Sequence, residues 1–192
     1  MGDHHTAAPS GWLVMNRALL PPSGRALDVA CGRGRNALWL AAHGFETTAI
    51  DRDPAAIDAL AARARTEQLL LTALAMDLEA AGVTVGLEVY DVVVVVHYLH
   101  RPLFPTLLAA LRPGGVLVYE TFTVAQAARG RPTNPAFLLE PGELPRLVAP
   151  LEILAAREGD YEGRMVSSVV ARAAQDSASR RASRLRVPPR RP

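Results

Sequence analysis

Apolar residues recur along this chain in two rhythms. From Arg25 onward, short apolar runs of strand length are separated by amphipathic stretches of helical length, the pattern of βαβ units built on a parallel sheet. The runs predict strands near residues 25 to 30, 46 to 50, 70 to 76, 91 to 96 and 115 to 121. The amphipathic stretches predict helices near 35 to 43, 54 to 66 and 102 to 111. Val92 to Val96 show no polar alternation, so that strand is expected at the centre of the sheet with both faces covered. Pro113-Gly114-Gly115 turns the chain into the strand that follows. Leu151 to Arg157 and Met165 to Ala173, joined by Gly159-Asp160-Tyr161-Glu162-Gly163, predict an antiparallel hairpin that closes the sheet.

Flanking segments read differently. Ser10 is placed to cap a short helix carrying Trp12, Leu13, Leu19 and Leu20, which Pro21-Pro22-Ser23-Gly24 stops; residues 1 to 24 are expected to form an arm over the active site. The core domain is then 25 to 173. Phe122 to Leu139, with Gly130, Pro132 and Pro135, is a long connection for a compact domain, and such connections are usually functional. Glu140-Pro141 is set to start a further helix running to about Val148.

Composition narrows the chemistry. At 192 residues, 49% hydrophobic and 21% charged, the chain reads as one globular domain. All 21 basic residues are Arg, so neither a Schiff-base Lys nor a Walker Lys is available. Cys31 is the only cysteine, which fits a reducing cytoplasm and excludes a disulfide framework within one chain. The longest apolar run is far too short to span a bilayer, and no basic region followed by an apolar stretch opens the chain. Arg180, Arg181, Arg184, Arg186, Arg190 and Arg191 against Asp176 put +5 on the tail, leaving −3 elsewhere out of the overall +2. With little apolar surface, residues 174 to 192 are expected to form a disordered basic tail.

Leu27-Asp28-Val29-Ala30-Cys31-Gly32-Arg33-Gly34-Arg35-Asn36 puts a strand, a tight glycine turn and a helix start in succession, an arrangement that binds nucleotides. Gly32-x-Gly34-x-x-Ala37 also satisfies the dinucleotide pattern. Asp28 argues for the other reading. A carboxylate at the end of the first strand repels a pyrophosphate and suits an ammonium, which S-adenosylmethionine carries together with a ribose diol and an adenine but no phosphate. Asp51 then falls where the ribose hydroxyls lie, and Asp77 within reach of the adenine amine. Structural roles compete at each position: Asp28 as a turn cap, Asp51 as an Asx turn before Asp53-Pro54, Asp77 as a helix cap. All three acids nevertheless fall at the carboxyl ends of successive strands, where open α/β sheets bind ligands.

These residues resemble a known family. The run from Leu27 to Asn36, then Leu40-Ala41-Ala42-x-Gly44, then Asp51, is similar to class I S-adenosylmethionine-dependent methyltransferases, in particular the small tellurite-resistance, thiopurine-like branch. Leu111-Arg112-Pro113-Gly114-Gly115-Val116-Leu117 extends the likeness to the start of the fifth strand, so that it covers roughly residues 10 to 173. Ala30 stands where the family usually has its first glycine. The resemblance implies a Rossmann-like seven-stranded sheet with helices on both faces. It also implies that Asp28, Asn36 and the backbone of Ala30, Cys31, Gly32 and Gly34 hold the methionine moiety, Asp51 the ribose, and Asp77 with Leu78 the adenine, flanked by Arg52.

For the acceptor side, direct displacement at a sulfonium needs alignment and exclusion of water, and no metal. His97, Tyr98, His100 and Arg101, then Tyr119, Glu120 and Thr121, occupy the ends of strands four and five. His97, Tyr98 and Arg101 are the candidate catalytic residues, with His97 as base or orienter also touching the cofactor. A purely structural His97 is the competing reading. His97-x-x-His100 without a third ligand is a weak metal signal. Gln126, Arg129, Arg131 and Asn134 are expected above the crevice, with Trp12 and Arg17 closing it from the arm. Their surplus of Arg favours a small anionic acceptor such as a thiolate, oxyanion or carboxylate. Nucleic acid as acceptor is disfavoured by the lack of an Asp/Asn-Pro-Pro-Tyr/Phe arrangement. An NAD(P)-dependent reductase and a non-catalytic cofactor-binding module are the other readings.

Overall fold

The computed structural model describes residues 8–175. The basic tail from Asp176 onward therefore lies outside the described residues. Five helices and seven strands follow in the order α1 (Gly11–Met15), β1 (Gly24–Val29), α2 (Arg35–Ala42), β2 (Phe45–Asp51), α3 (Pro54–Thr66), β3 (Leu71–Ala75), β4 (Tyr90–Val96), α4 (Phe104–Ala110), β5 (Leu111–Phe122), α5 (Glu143–Leu147), β6 (Glu152–Tyr161) and β7 (Arg164–Arg172). One sheet holds all the strands in the order β3-β2-β1-β4-β5-β7-β6, with only β7 antiparallel to its neighbours.

The strand order puts β4 in the middle, and Val92 to Val95 are fully buried there. One face of the sheet packs a cluster including Val93, Val95, Leu103, Phe104, Leu107 and Leu144; the other packs Val92, Val94, Val96, Leu40 and Trp12. Alternate residues of the valine run thus face opposite layers, as the two-residue period of a strand requires. Local chemistry starts α3 where expected: Pro54 occupies its first turn and the Asp53 carboxylate accepts from the N–H groups of Ala55 and Ala56, at 3.0 and 3.3 Å. Ile57, Leu60 and Ala64 form its buried stripe.

Several details differ from the sequence reading: β5 begins at Leu111 and runs through Pro113-Gly114-Gly115, which reads as a turn in the sequence, and α4 is shorter at both ends. The β6 and β7 strands run on through Gly159, Asp160 and Tyr161, so that the hairpin turn is only Glu162-Gly163. The Glu140-Pro141 helix begins later, at Glu143, after Gly142 in left-handed backbone. Ser10 does precede α1, but its hydroxyl makes no cap; it donates across the molecule to Glu120 Oε1 at 3.3 Å. Both carboxylate oxygens of Glu120 thereby receive hydrogen bonds, which a local cap would not provide. No helix among the described residues is long and apolar enough to cross a membrane.

Candidate active site

Parallel strands all end on one side of the sheet, and there the ends of β1 to β5 surround a cavity of about 330 Å³. That lies within the roughly 300–1,000 Å³ usual for ligand pockets. Ala30, Asp51, Arg52, Asp77, Leu78, His97 and Tyr98, all predicted from the sequence, line it. Met76, Glu79, Leu99, Phe122, Pro132 and Phe137 also line it and were not anticipated as site residues.

Each of the three acids carries a structural bond as well. Asp28 is 1% exposed; its Oδ2 accepts from the Ala37 N–H at 2.8 Å, at the start of α2, while its Oδ1 is buried with no partner. Burial pushes its carboxyl up to about 7, against the lowering effects of that hydrogen bond and of Arg35. Asp51 accepts from the Gly32 N–H at 2.7 Å and the Asp53 N–H at 3.0 Å, tying the glycine turn of β1 to the end of β2. Asp77 Oδ1 accepts from the Glu79 N–H at 2.9 Å. The Asx-turn readings and the ligand readings therefore coexist, since each carboxylate oxygen has a further lone pair to offer.

The glycine turn divides its labour. A Cβ at Gly32, whose φ is +55°, would meet nothing within 4 Å, so this stretch of backbone borders open space. A Cβ at Gly34 would come within 2.4 Å of Leu60 on α3. Gly34, in left-handed backbone at φ +77°, is thus also required for packing against α3. Ala30 also adopts left-handed backbone, φ +52°. An L-residue with a Cβ pays roughly 1–2 kcal/mol there, so its replacement of glycine is not free.

Several predicted residues do not reach the cavity wall. Cys31 is buried among Ala37, Leu38, Ala49, Ile57 and Leu60, and burial raises its thiol pKa strongly, away from thiolate chemistry. The Asn36 carbonyl accepts from the Ser10 N–H at 2.9 Å, anchoring the N-terminal arm. Arg101 forms a bidentate pair with Glu143, at 2.6 and 2.9 Å, and donates to the carbonyls of Ala136 and Leu138. It braces the 122 to 139 loop against α5 and is not part of the cavity lining. Arg17 donates to the carbonyls of Pro21 and Pro22 and lies over Phe45, at the opposite end of β2 from Asp51. In the loop itself Gln126 bonds Met165 N–H and Arg131 carbonyl, Arg129 pairs with Asp160, and Asn134 caps a short turn. Pro132 and Phe137, not the loop's polar residues, face the cavity.

His97 occupies a distinctive place. Its backbone φ is +59°, its N–H donates to the Glu120 carbonyl at 2.8 Å, and its ring stacks on Phe122 with centroids 4.7 Å apart. Burial, aided by Arg35 and Arg164, lowers its pKa to about 4, so the ring is neutral at pH 7. Strained backbone of this kind concentrates at functional sites. Besides the large cavity, His97 lines a second recess of about 20 Å³ with Trp12, Glu120, Arg157, Tyr161 and Arg164. Tyr98 does not line that recess. Its hydroxyl is buried without a partner, and burial with the nearby Glu79 and Asp77 carboxylates pushes it up to about 12. It belongs with Asp77 at the cavity, while its carbonyl accepts from the Tyr119 hydroxyl at 2.8 Å.

The glycine turn, the acids at successive strand ends and the antiparallel β7 define the class I methyltransferase fold. Residues 26–115 match the methyltransferase domain family. The fold is that of the class I S-adenosylmethionine-dependent methyltransferases, the methyltransferase-domain match covers just under half of the chain, and S-adenosylmethionine is the cofactor of that class. The chain is 27% identical over 109 residues to the probable S-adenosyl-L-methionine-dependent methyltransferase TehB of Haemophilus influenzae, covering 57% of this chain and 38% of that one. The crystal structure of TehB from that organism superposes with a TM-score of 0.73 at 22% identity, over 88% of this chain and 64% of that one. A methyltransferase structure from Mesorhizobium loti gives 0.67 at 20% identity, covering 85% of this chain and 98% of that one. Hemagglutinin 1 of Eikenella corrodens is 32% identical over 139 residues, 70% of this chain and 46% of its own length. The chain thus spans less than half of the curated relatives it matches.

Proposed function

We propose that the chain transfers the methyl group of S-adenosylmethionine to a small anionic acceptor, a thiolate, oxyanion or carboxylate, by direct displacement. The observation that carries this reading is that the neutral His97 ring is a wall common to both the large cavity and the arginine-lined recess. Bound in the large cavity, the cofactor supplies an electrophilic methyl on a sulfonium. The residues fit such a ligand: on the cavity wall Asp51 suits its diol and Asp77 its adenine amine, Gly32 leaves room beside the backbone, and Asp28, which is buried and not among the lining residues, keeps an unpartnered Oδ1 to offer its ammonium.

Arg157 and Arg164 line the recess together with Glu120 and Glu162, so that Arg157 is balanced by its Glu120 pair and Arg164 is the guanidinium left to meet an anion, and its small volume admits a single terminal atom of an acceptor. Phe122, Pro132 and Phe137 give the larger cavity an apolar wall. Because His97 is neutral until about pH 4, it orients an acceptor that arrives already ionised instead of removing a proton. A screen of thiols, oxyanions and small carboxylates, followed by release of S-adenosylhomocysteine, tests the reading. Turnover is expected with anions, and with cofactor saturating His97 should add no ionisation of its own to the profile between about pH 6 and 9. Turnover restricted to neutral amines or to nucleic acid would refute it.

A further inference from the structure

The mechanism leaves one buried acid unassigned. Glu120, at the end of β5, is 7% exposed and is shared by three elements distant in sequence. Its Oε2 accepts from Arg157 of β6 at 2.9 Å and from the Ser168 hydroxyl of β7 at 2.7 Å, while its Oε1 accepts from Ser10 at the root of the N-terminal arm. Arg157 is held on both faces as well, its guanidinium carbon 4.6 Å from the Trp12 ring centroid and 3.9 Å from that of Tyr161. Trp12 is itself tied down, its indole N–H donating to the Val169 carbonyl at 3.1 Å. The arm and the guanidinium are therefore two arms of one network with a carboxylate at its centre.

We infer that Glu120 is a positioning residue that couples docking of the N-terminal arm to the aim of Arg157, so that the acceptor recess is assembled only when the arm is down. This rests on the acceptor recess proposed above. A buried ion pair that served stability alone would need no serine from the arm, and replacing such a pair by apolar residues is often neutral. Here the same carboxylate engages two walls of the recess, Ser10 preceding Trp12 on one side and Arg157 on the other. With the arm lifted, Arg157 loses its Trp12 face and Glu120 loses one of its three partners. The guanidinium is then held from one face only, by Tyr161, with Glu120 and Ser168 at its edge. Neither Glu120 nor Arg157 touches the large cavity, so cofactor affinity should not respond.

The test asks whether a lesion on one wall is felt at the other. The full chain carrying Trp39→Phe, saturated with S-adenosylhomocysteine, reports sulfate binding through Trp12 fluorescence, and amide hydrogen exchange of residues 9 to 16 reports arm docking. Glu120→Gln should weaken sulfate about tenfold and speed arm exchange about tenfold, with S-adenosylhomocysteine affinity held within about twofold. The cross-effects are decisive: Ser10→Ala should weaken sulfate, and Arg157→Gln should speed arm exchange. Ser10→Ala with undiminished sulfate binding, or Arg157→Gln with an unmoved arm, would overturn the coupling. A parent chain that binds S-adenosylhomocysteine but gives no sulfate response would overturn the recess reading, while the effect of Arg157→Gln on the arm still judges Glu120.

Discussion

The cofactor half of this cleft and the half we propose for the acceptor are built on different principles. At the ends of β1 to β3 every key acid is fixed by a partner close in sequence: Asp77 and Asp51 by amides two residues on, Asp28 by an amide nine on, Asp51 again by Gly32 nineteen back. Around the recess the corresponding separations are 37 for Glu120 with Arg157, 110 for Ser10 with Glu120, and 157 for Trp12 with Val169. Local motifs make a site that travels intact with its βαβ unit. Long-range pairing makes one that depends on strand register and on the arm, and that is free to vary in what it accepts.

The largest effect that separates the halves is expected at Asp51. Asp51→Ala removes the anchor of Gly32 and the acceptor for a diol, and should weaken S-adenosylhomocysteine by roughly 2–4 kcal/mol in titration calorimetry. Arg157→Ala should leave that affinity within about twofold. Equal losses in the two variants would break the division.

A pH experiment at Asp28 is the next in size. In the empty protein its carboxyl, pushed up to about 7, titrates above the unfolded value near 3.9. The folded state therefore holds an extra proton between about pH 4 and 7, and its stability should fall as pH rises through that window. Cofactor affinity should run the opposite way, rising towards pH 8 as the carboxylate that meets the ammonium forms. Urea unfolding and S-adenosylhomocysteine titration at several pH values measure both trends, and Asp28→Asn should flatten each. Parallel trends in the two would show that Asp28 does not face the ammonium.

The smallest effect lies at Ala30. Ala30→Gly relieves left-handed backbone and should stabilise the protein by about 1 kcal/mol, read as a higher urea midpoint with unchanged slope. A loss of stability would mean that the Ala30 methyl packs more usefully than its backbone strains.

This contrast also explains what was legible in the sequence. Periodicity located all seven strands and the three helices of the βαβ core, because Val92 to Val96, the Asp53-Pro54 start and the Ala30-to-Gly34 turn are short-range signals. Asp51, Asp77 and His97 were legible for the same reason, each following directly on an apolar strand. Arg101, five residues past β4, and Asn36, at the start of α2, lie outside the cavity wall, because proximity in sequence to a strand end says nothing about where a long or bifunctional side chain finds its partner; theirs are Glu143 and Ser10. Arg157 and Tyr161 were hidden by register. The hairpin continues pairing through Tyr161, and only then do Arg157 and Tyr161 come to share one face with Trp12.

The central claim is that the turn from Ala30 to Gly34 receives an amine and not a diphosphate. Competitive titration of the full chain with S-adenosylhomocysteine and NADPH tests it most directly. Saturable binding of S-adenosylhomocysteine that NADPH does not displace is the expected result; NADPH bound where S-adenosylhomocysteine fails would contradict the account.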